Sequence, residues 1–287
     1  YQVWTADDLN GVRDYLDAYF IQMADIDLSE ISWASISVFT GNYNGNGYRI
    51  ANINAPLFGG TTNATLQKIG LVDANITNGD GILANSCFGG TIEQCYSTGV
   101  INGYKFLMGG LIGRIQNWID DNISIRDCFS TCDVTNNSTI ESTGAEYGTG
   151  GLIGGVGYTF SVYEMVRCFS CGSVNIAIDD ELTNVGGMIG WATRYIDLSS
   201  CYYDSEASGY SDSKGTPKTT AEMKQQETFV GWDFDTVWGI DPAINDGYPY
   251  LKVFVNEEIP TIYQFANGAG TEADPYQVAT AADLNGV

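Results

Sequence analysis

The chain has 287 residues, 44% of them apolar, with 12 Lys and Arg against 35 Asp and Glu and no histidine. A net charge of −23 repels phosphate polymers and excludes a nucleic-acid-binding role. The missing histidine excludes Ser-His-Asp and Cys-His catalysis and HExxH zinc chemistry within this chain. No run of 18 apolar residues occurs, so no membrane-spanning helix is predicted. Abundant glycine and aromatic residues with little proline suit many short strands joined by tight turns.

Residues 1–38 read as an N-terminal cap and first strand. Thr5 has the chemistry of a helix N-cap, with Asp8 three positions on, and Leu9, Val12 and Leu16 fall on one helical face. A strand follows in "YFIQMADIDL" at 19–28. Residues 39–205 carry an internal repeat. Cys95, Cys128, Cys168 and Cys201 lie 33, 40 and 33 residues apart, and each is followed by Tyr or Phe. Alternating with them are "GGLIG" at 109–113, "GGLIG" at 150–154 and "GGMIG" at 186–190. Periods of this size mark solenoids, propellers or arrays. The segments are short, β-branched and glycine-punctuated, so the repeating element is a strand. A propeller blade would need four strands in ~40 residues. Two or three strands and one expandable loop per repeat favour an all-β, right-handed parallel β-helix, with a short N-terminal capping helix and an aromatic-rich C-terminal cap.

These motifs carry a family resemblance. "GGLIG" set between "CYSTG"-type strands resembles the GLUG motif of bacterial and archaeal surface and adhesin-like proteins. "FTGNYNGNGYRIANI" at 39–53 is similar to that family's opening turn, with Asn44 where Asp is common. "TTAEMKQQETFVGWDFDTVWGI" followed by "NDGYPYL" is similar to its closing segment, and "GTEADPYQVATAADL" at 270–284 to its lead-in. "PLFGG" at 56–60 and "GILANS" at 81–86 only approximate the glycine motif, which leaves the number of coils open. The resemblance implies a β-helix displayed outside the cell, without a defined catalytic site.

Residues 206–269 read as the C-terminal cap region. Thr219 or Thr220 can start a short helix over "AEMKQQ", and Phe229, Trp232, Phe234, Trp238, Tyr248 and Tyr250 form an aromatic closing region. Residues 270–287 read as the start of a further tandem repeat or an inter-subunit linker. "YQVATAADLNGV" at 276–287 matches "YQVWTADDLNGV" at 1–12 in ten of twelve positions. Copies would then join covalently or head to tail as separate chains. Candidate joint residues are Tyr1, Leu9, Val12, Trp232, Trp238, Tyr248, Tyr276 and Leu284.

The aligned cysteines suit a buried thiol ladder. Cys132 and Cys171 are additional, at neighbouring places in successive coils, where ~5 Å stacking would permit a disulfide. Sequons place glycosylation candidates at Asn63, Asn75, Asn122, Asn136 and Asn137. Asp25 and Asp27 share one strand face, and Asp179, Asp180 and Glu181 form an acidic loop. These are weak calcium candidates against solvated loop charge, and Ca2+ is the only cofactor they suggest. Tyr43, Tyr48, Tyr104, Trp118, Tyr147, Tyr158, Trp191 and Tyr195 can stack on sugars or pack under loops. The sequence therefore reads as a non-enzymatic extracellular structural or adhesive unit, stacking end to end into a cell-surface stalk, fibre or filament. Its expected partners are copies of itself or adjacent repeats, with a host, surface or glycan ligand. The alternative is a carbohydrate-binding or carbohydrate-cleaving β-helix.

Overall fold

The computed structural model describes residues 1–116, 122–138, 147–157, 163–177, 184–192, 196, 198 and 200–255. Residues Tyr1–Phe254 form one unit and Val255–Val287 a second. The first unit is a parallel β-helix. Its coils each lay one strand on a seven-stranded, a six-stranded and a ten-stranded sheet, with every pairing along these paths parallel. Among the described residues, antiparallel pairing is confined to Trp238–Gly239 against Tyr250–Leu251.

Side-chain alternation on these strands turns a coil-to-coil register into ladders. On the six-stranded sheet Ile36, Phe58, Ala84, Ile112, Ile153 and Ile189 lie level, and all are fully buried. Facing them on the seven-stranded sheet, Phe20, Tyr43, Leu66, Ile92, Ile125 and Met165 form a second inner ladder. The four aligned cysteines line the same core, as the repeat predicts. Four successive coils turn toward the ten-stranded sheet at a left-handed residue: Lys68, Gln94, Asp127 and Arg167 have φ of 54°, 52°, 54° and 53°. All four corner residues carry side chains, so no glycine marks the corner in these coils.

Glycine instead marks the other junction. A Cβ on Gly110 would lie 2.1 Å from Ser130 Oγ and 2.4 Å from the Gly151 carbonyl oxygen. The "GGLIG" segments therefore stack too closely for any side chain. Their carbonyls also satisfy the polar groups of the neighbouring motif. Ser97 donates to Gly110 O at 2.9 Å and Ser170 to Gly187 O at 2.7 Å, both fully buried. The two repeated motifs are thus one hydrogen-bonded unit.

At the N-terminus Gln2–Val3 adds a strand beside Tyr19–Gln22, and helix Ala6–Gly11 covers the first coil. Thr5 and Asp8 form a reciprocal capping box, as expected. The expected strand 19–28 is two strands, Tyr19–Gln22 and Ile26–Asp27, because the chain turns a corner between them. Helix Thr220–Met223 is capped by Thr219, with Glu222 completing the box.

The aromatic C-terminal region does not close the end of the solenoid; it runs back along its side. Trp232 Nε1 donates to Ser200 O near the last coils, and Trp238 Nε1 to Asp127 midway. Arg49, on the second coil, donates to Phe254 O. Val253 O approaches Gly47 so closely that a Cβ there would sit 2.3 Å away. The aromatics take this path because the flank itself is aromatic, as described next.

Candidate functional site

Tyr96, Phe129, Phe169 and Tyr202 follow the aligned cysteines and lie level on successive coils. Alternation puts them on the face opposite the buried serines, outside the solenoid core. Tyr96 and Phe129 stack at 4.8 Å and 11°, and Phe129 and Phe169 at 4.9 Å and 5°. Left uncovered, such a strip would expose a contiguous apolar patch. Residues 229–254 cover it. Phe229 meets Tyr202 edge-on at 5.3 Å, Trp238 lies 5.9 Å from Phe169, and Phe254 meets Tyr96 edge-on at 4.7 Å.

Polar anchors fix this strap. Asp127 is buried at the corner of its coil, and Arg167 grips it through Nε and a guanidinium nitrogen at 2.7 and 2.8 Å. Trp238 Nε1 adds a third bond at 3.0 Å. Arg49 bonds Tyr96 Oη at 3.1 Å as well as the Phe254 carbonyl. Tyr248 donates to Asp204 Oδ2 at 2.6 Å, and Lys224 stands over its ring. Burial and the bond to Asp204 push the Tyr248 hydroxyl far above its ordinary range.

At one end of the strap an open cleft of about 590 Å³ is lined by Gln226, Glu227, Phe229, Val230, Trp232, Asp233, Phe234 and Asp235. Trp232 and Phe234 are stacked at 6.5 Å along its wall. Asp233 is held below the ordinary carboxylate range by its bonds to Thr236 and Asp235. The lining pairs aromatic faces with hydrogen-bonding side chains, and it contains no Lys or Arg.

The residues singled out in sequence fall in different places. Asp25 and Asp27 do share an exposed face, but each is engaged with the next coil. Asp25 accepts from Arg49 N at 2.7 Å and Asp27 from Asn52 at 2.7 Å, which holds Asp27 below its ordinary range. Asp179, Asp180 and Glu181 lie outside the described residues, as do Trp118, Tyr158, Tyr195, Tyr276 and Leu284. Among the described residues no group of three His, Cys, Asp or Glu is placed to hold a metal ion.

The Cys132–Cys171 disulfide expected from sequence is corrected by the register. Ser130 pairs with Ser170 and Val134 with Val174, so Cys132 is level with Gly172 rather than Cys171. Cys132 points into the solenoid core, Cys171 toward the strap, and both are free thiols. Burial raises the thiols of Cys128, Cys168 and Cys171 well above their ordinary range, Cys87 to about 12 and Cys132 to about 11. All but Cys171 fill the solenoid core.

Asn63, Asn75 and Asn122 are exposed, and Asn137 is half-buried. Asn136 is unsuited to a glycan. It is buried, and its amide donates to Lys105 O and Thr149 Oγ1 at 2.8 and 3.1 Å. Of the joint candidates, Leu9, Val12 and Trp238 are fully buried inside this unit, Trp232 is buried and Tyr248 half-buried in the strap. None of these five can form a broad contact with a neighbour. Tyr1 remains exposed, stacked on Tyr15. Tyr43 and Trp191 are buried, which removes them as sugar platforms, while Tyr104 is 73% exposed. Sequence reasoning missed Asp127 and Arg49, whose partners lie 111 and 205 residues away. The serine after Tyr96, Phe129 and Phe169 was readable from the motif itself.

The fold and its braced flank define a class: parallel β-helix proteins. Within it, the chain is similar over 88% of its length to a solved Bacteroides ovatus protein named for immunoglobulin A1 protease, with TM-score 0.65, 19% identity and 92% of that chain covered. Among curated sequences it is 34% identical over 137 residues to a Gly-rich membrane protein of Evansella cellulosilytica, covering 46% of this chain. It is 29% identical to halomucin of Haloquadratum walsbyi over 80% of this chain, and 29% identical to an immunoglobulin A1 protease of Streptococcus pneumoniae over 67%. The chain spans only 14%, 3% and 10% of those three proteins. No family model matches.

Proposed function

We propose that the chain is a non-catalytic structural module of a long extracellular surface protein, built to recur in tandem. The observation that carries this reading is the composition of the cap. Val3, Leu9 and Val12 are buried, and Thr5 and Asp8 make the capping box. Every one recurs, as Val278, Leu284, Val287, Thr280 and Asp283, whereas the two positions that differ, Trp4 and Asp7, are exposed. Exchange is confined to positions where the cap does not need a particular residue. The GLUG resemblance and the large relatives support the same placement. Adjacent modules are its proposed partners.

The proteolytic name of some relatives is not carried over to this chain, which covers a tenth of the pneumococcal protein and contains no histidine. End-to-end stacking through the last coil is also disfavoured. The first unit begins at the first coil and ends at Phe254, beside the second, so its two chain ends lie at one end of the solenoid. Protease shaving of intact cells tests the placement. Release of peptides from this chain, with cytoplasmic markers retained, is the expected result; full protection until lysis would overturn it.

The cleft at 226–235 favours a second reading, a neutral-glycan site. Titration with neutral oligosaccharides, monitored by NMR, would shift the Phe234 and Asp235 resonances if it is correct and leave them still if it is not.

A further inference from the structure

We infer that residues 229–254 are a tension-released strap, which leaves the flank before the coils open and uncovers the aromatic ladder beneath. The inference takes from the surface-module reading only the source of the load.

Three features carry it. First, load applied through the two ends of the first unit acts across one end of the solenoid, because Tyr1 bonds Tyr19 on the first coil and Phe254 is held by Arg49 on the second. Second, the strap's attachments lie in series. Phe254 on Arg49 and Tyr96 comes first, then Tyr248 on Asp204, then Trp238 on Asp127 with its pairing to Leu251, then Trp232 on Ser200. Pulling at Phe254 loads these one after another, whereas each coil is held at once by ladders on all its sheets. Elements attached by few, sequential contacts open at lower free energy than a cooperative core, and forced opening follows the unfolding rate of the element under load. Third, the covered surface is itself continuous. Tyr96, Phe129 and Phe169 stack, Tyr202 lies level with them on the next coil, and the burial of all four depends on this strap. A loaded module therefore presents an aromatic face that a relaxed module hides.

Single-molecule force spectroscopy on the full 287-residue chain, held by its two ends, tests this. The expected trace shows an early, reversible event releasing about 115 Å before the larger coil events. That length follows from ~3.5 Å per extended residue of the strap, plus ~4.8 Å per rung between the loaded coils and the strap's root at the last coil. Arg49→Ala removes the first attachment and should lower the force of the early event while leaving the coil events in place. Trp232→Phe keeps the packing but loses the bond to Ser200, and should weaken only the last part of the same event. A single transition in which strap and coils open together would overturn the inference. So would an early event that neither substitution alters. Neither failure touches the surface placement, which the shaving experiment decides separately.

Discussion

Trp238 and Asp127 stand 111 residues apart, yet a 3.0 Å hydrogen bond from the indole Nε1 to the carboxylate ties the strap to the middle of the solenoid. Asp127 is buried, and its carboxylate is bonded by this indole and by the Arg167 guanidinium. Removing one partner of a buried pair strands the other and typically costs ~3–5 kcal/mol. Arg167→Ala should therefore destabilise by about that amount in urea denaturation. Arg126→Ala, which breaks a pair with the half-exposed Glu164, should cost roughly 0–1 kcal/mol.

The aromatic ladder predicts a second large effect. Phe169 is fully buried between Phe129 and the strap tryptophans. Phe169→Ala should cost about 3–5 kcal/mol. Because the lost contacts belong to the strap, limited proteolysis of this variant should cut first within residues 229–254.

Two glycines should respond in opposite ways to the same change. Gly110→Ala forces a methyl against the Gly151 backbone and Ser130, and it should unfold the neighbouring coils or prevent soluble expression. Gly11 lies at the end of the capping helix in ordinary right-handed backbone, with open space around its Cα. Gly11→Ala should stabilise by roughly 0.4–1 kcal/mol, read as a rise in Tm.

Alkaline pH should weaken the fold through its thiols. Burial places the folded pKa of Cys87, Cys128, Cys132, Cys168 and Cys171 above the ordinary value of 9.0. The unfolded chain therefore loses these protons first. Their stabilising contribution is complete below the unfolded pKa and declines as pH rises, by about 1.4 kcal/mol per pH unit per thiol while the folded thiol stays protonated. The urea midpoint should fall steeply between pH 9 and about 11, where Cys132 itself begins to titrate. Cys87→Ala should lessen that fall.

Glycosylation offers a direct check on burial. Secreted from a host that modifies sequons, the chain should carry glycans at exposed sites such as Asn63 and none at Asn136. Mass spectrometry of glycopeptides reads both outcomes.

What the sequence determined by itself was everything that repeats at short range. The Cys-aromatic and glycine-aliphatic motifs specified parallel coils, because a solenoid places like residues level. The Thr5–Asp8 and Thr219–Glu222 boxes were readable because a capping box closes within three residues. Even the glycine motif's purpose was partly legible, since paired glycines signal backbone in close approach. Tertiary structure alone decided which face each ladder occupies and where the C-terminal aromatics go. A one-residue offset in register sends Cys132 inward and Cys171 outward, so spacing along the chain could not establish their pairing. The closing aromatics gave no direction of their own. They lie on the flank because Tyr96, Phe129, Phe169 and Tyr202 form an apolar strip there and because Asp127 and Arg49 meet partners brought near only by winding the coils.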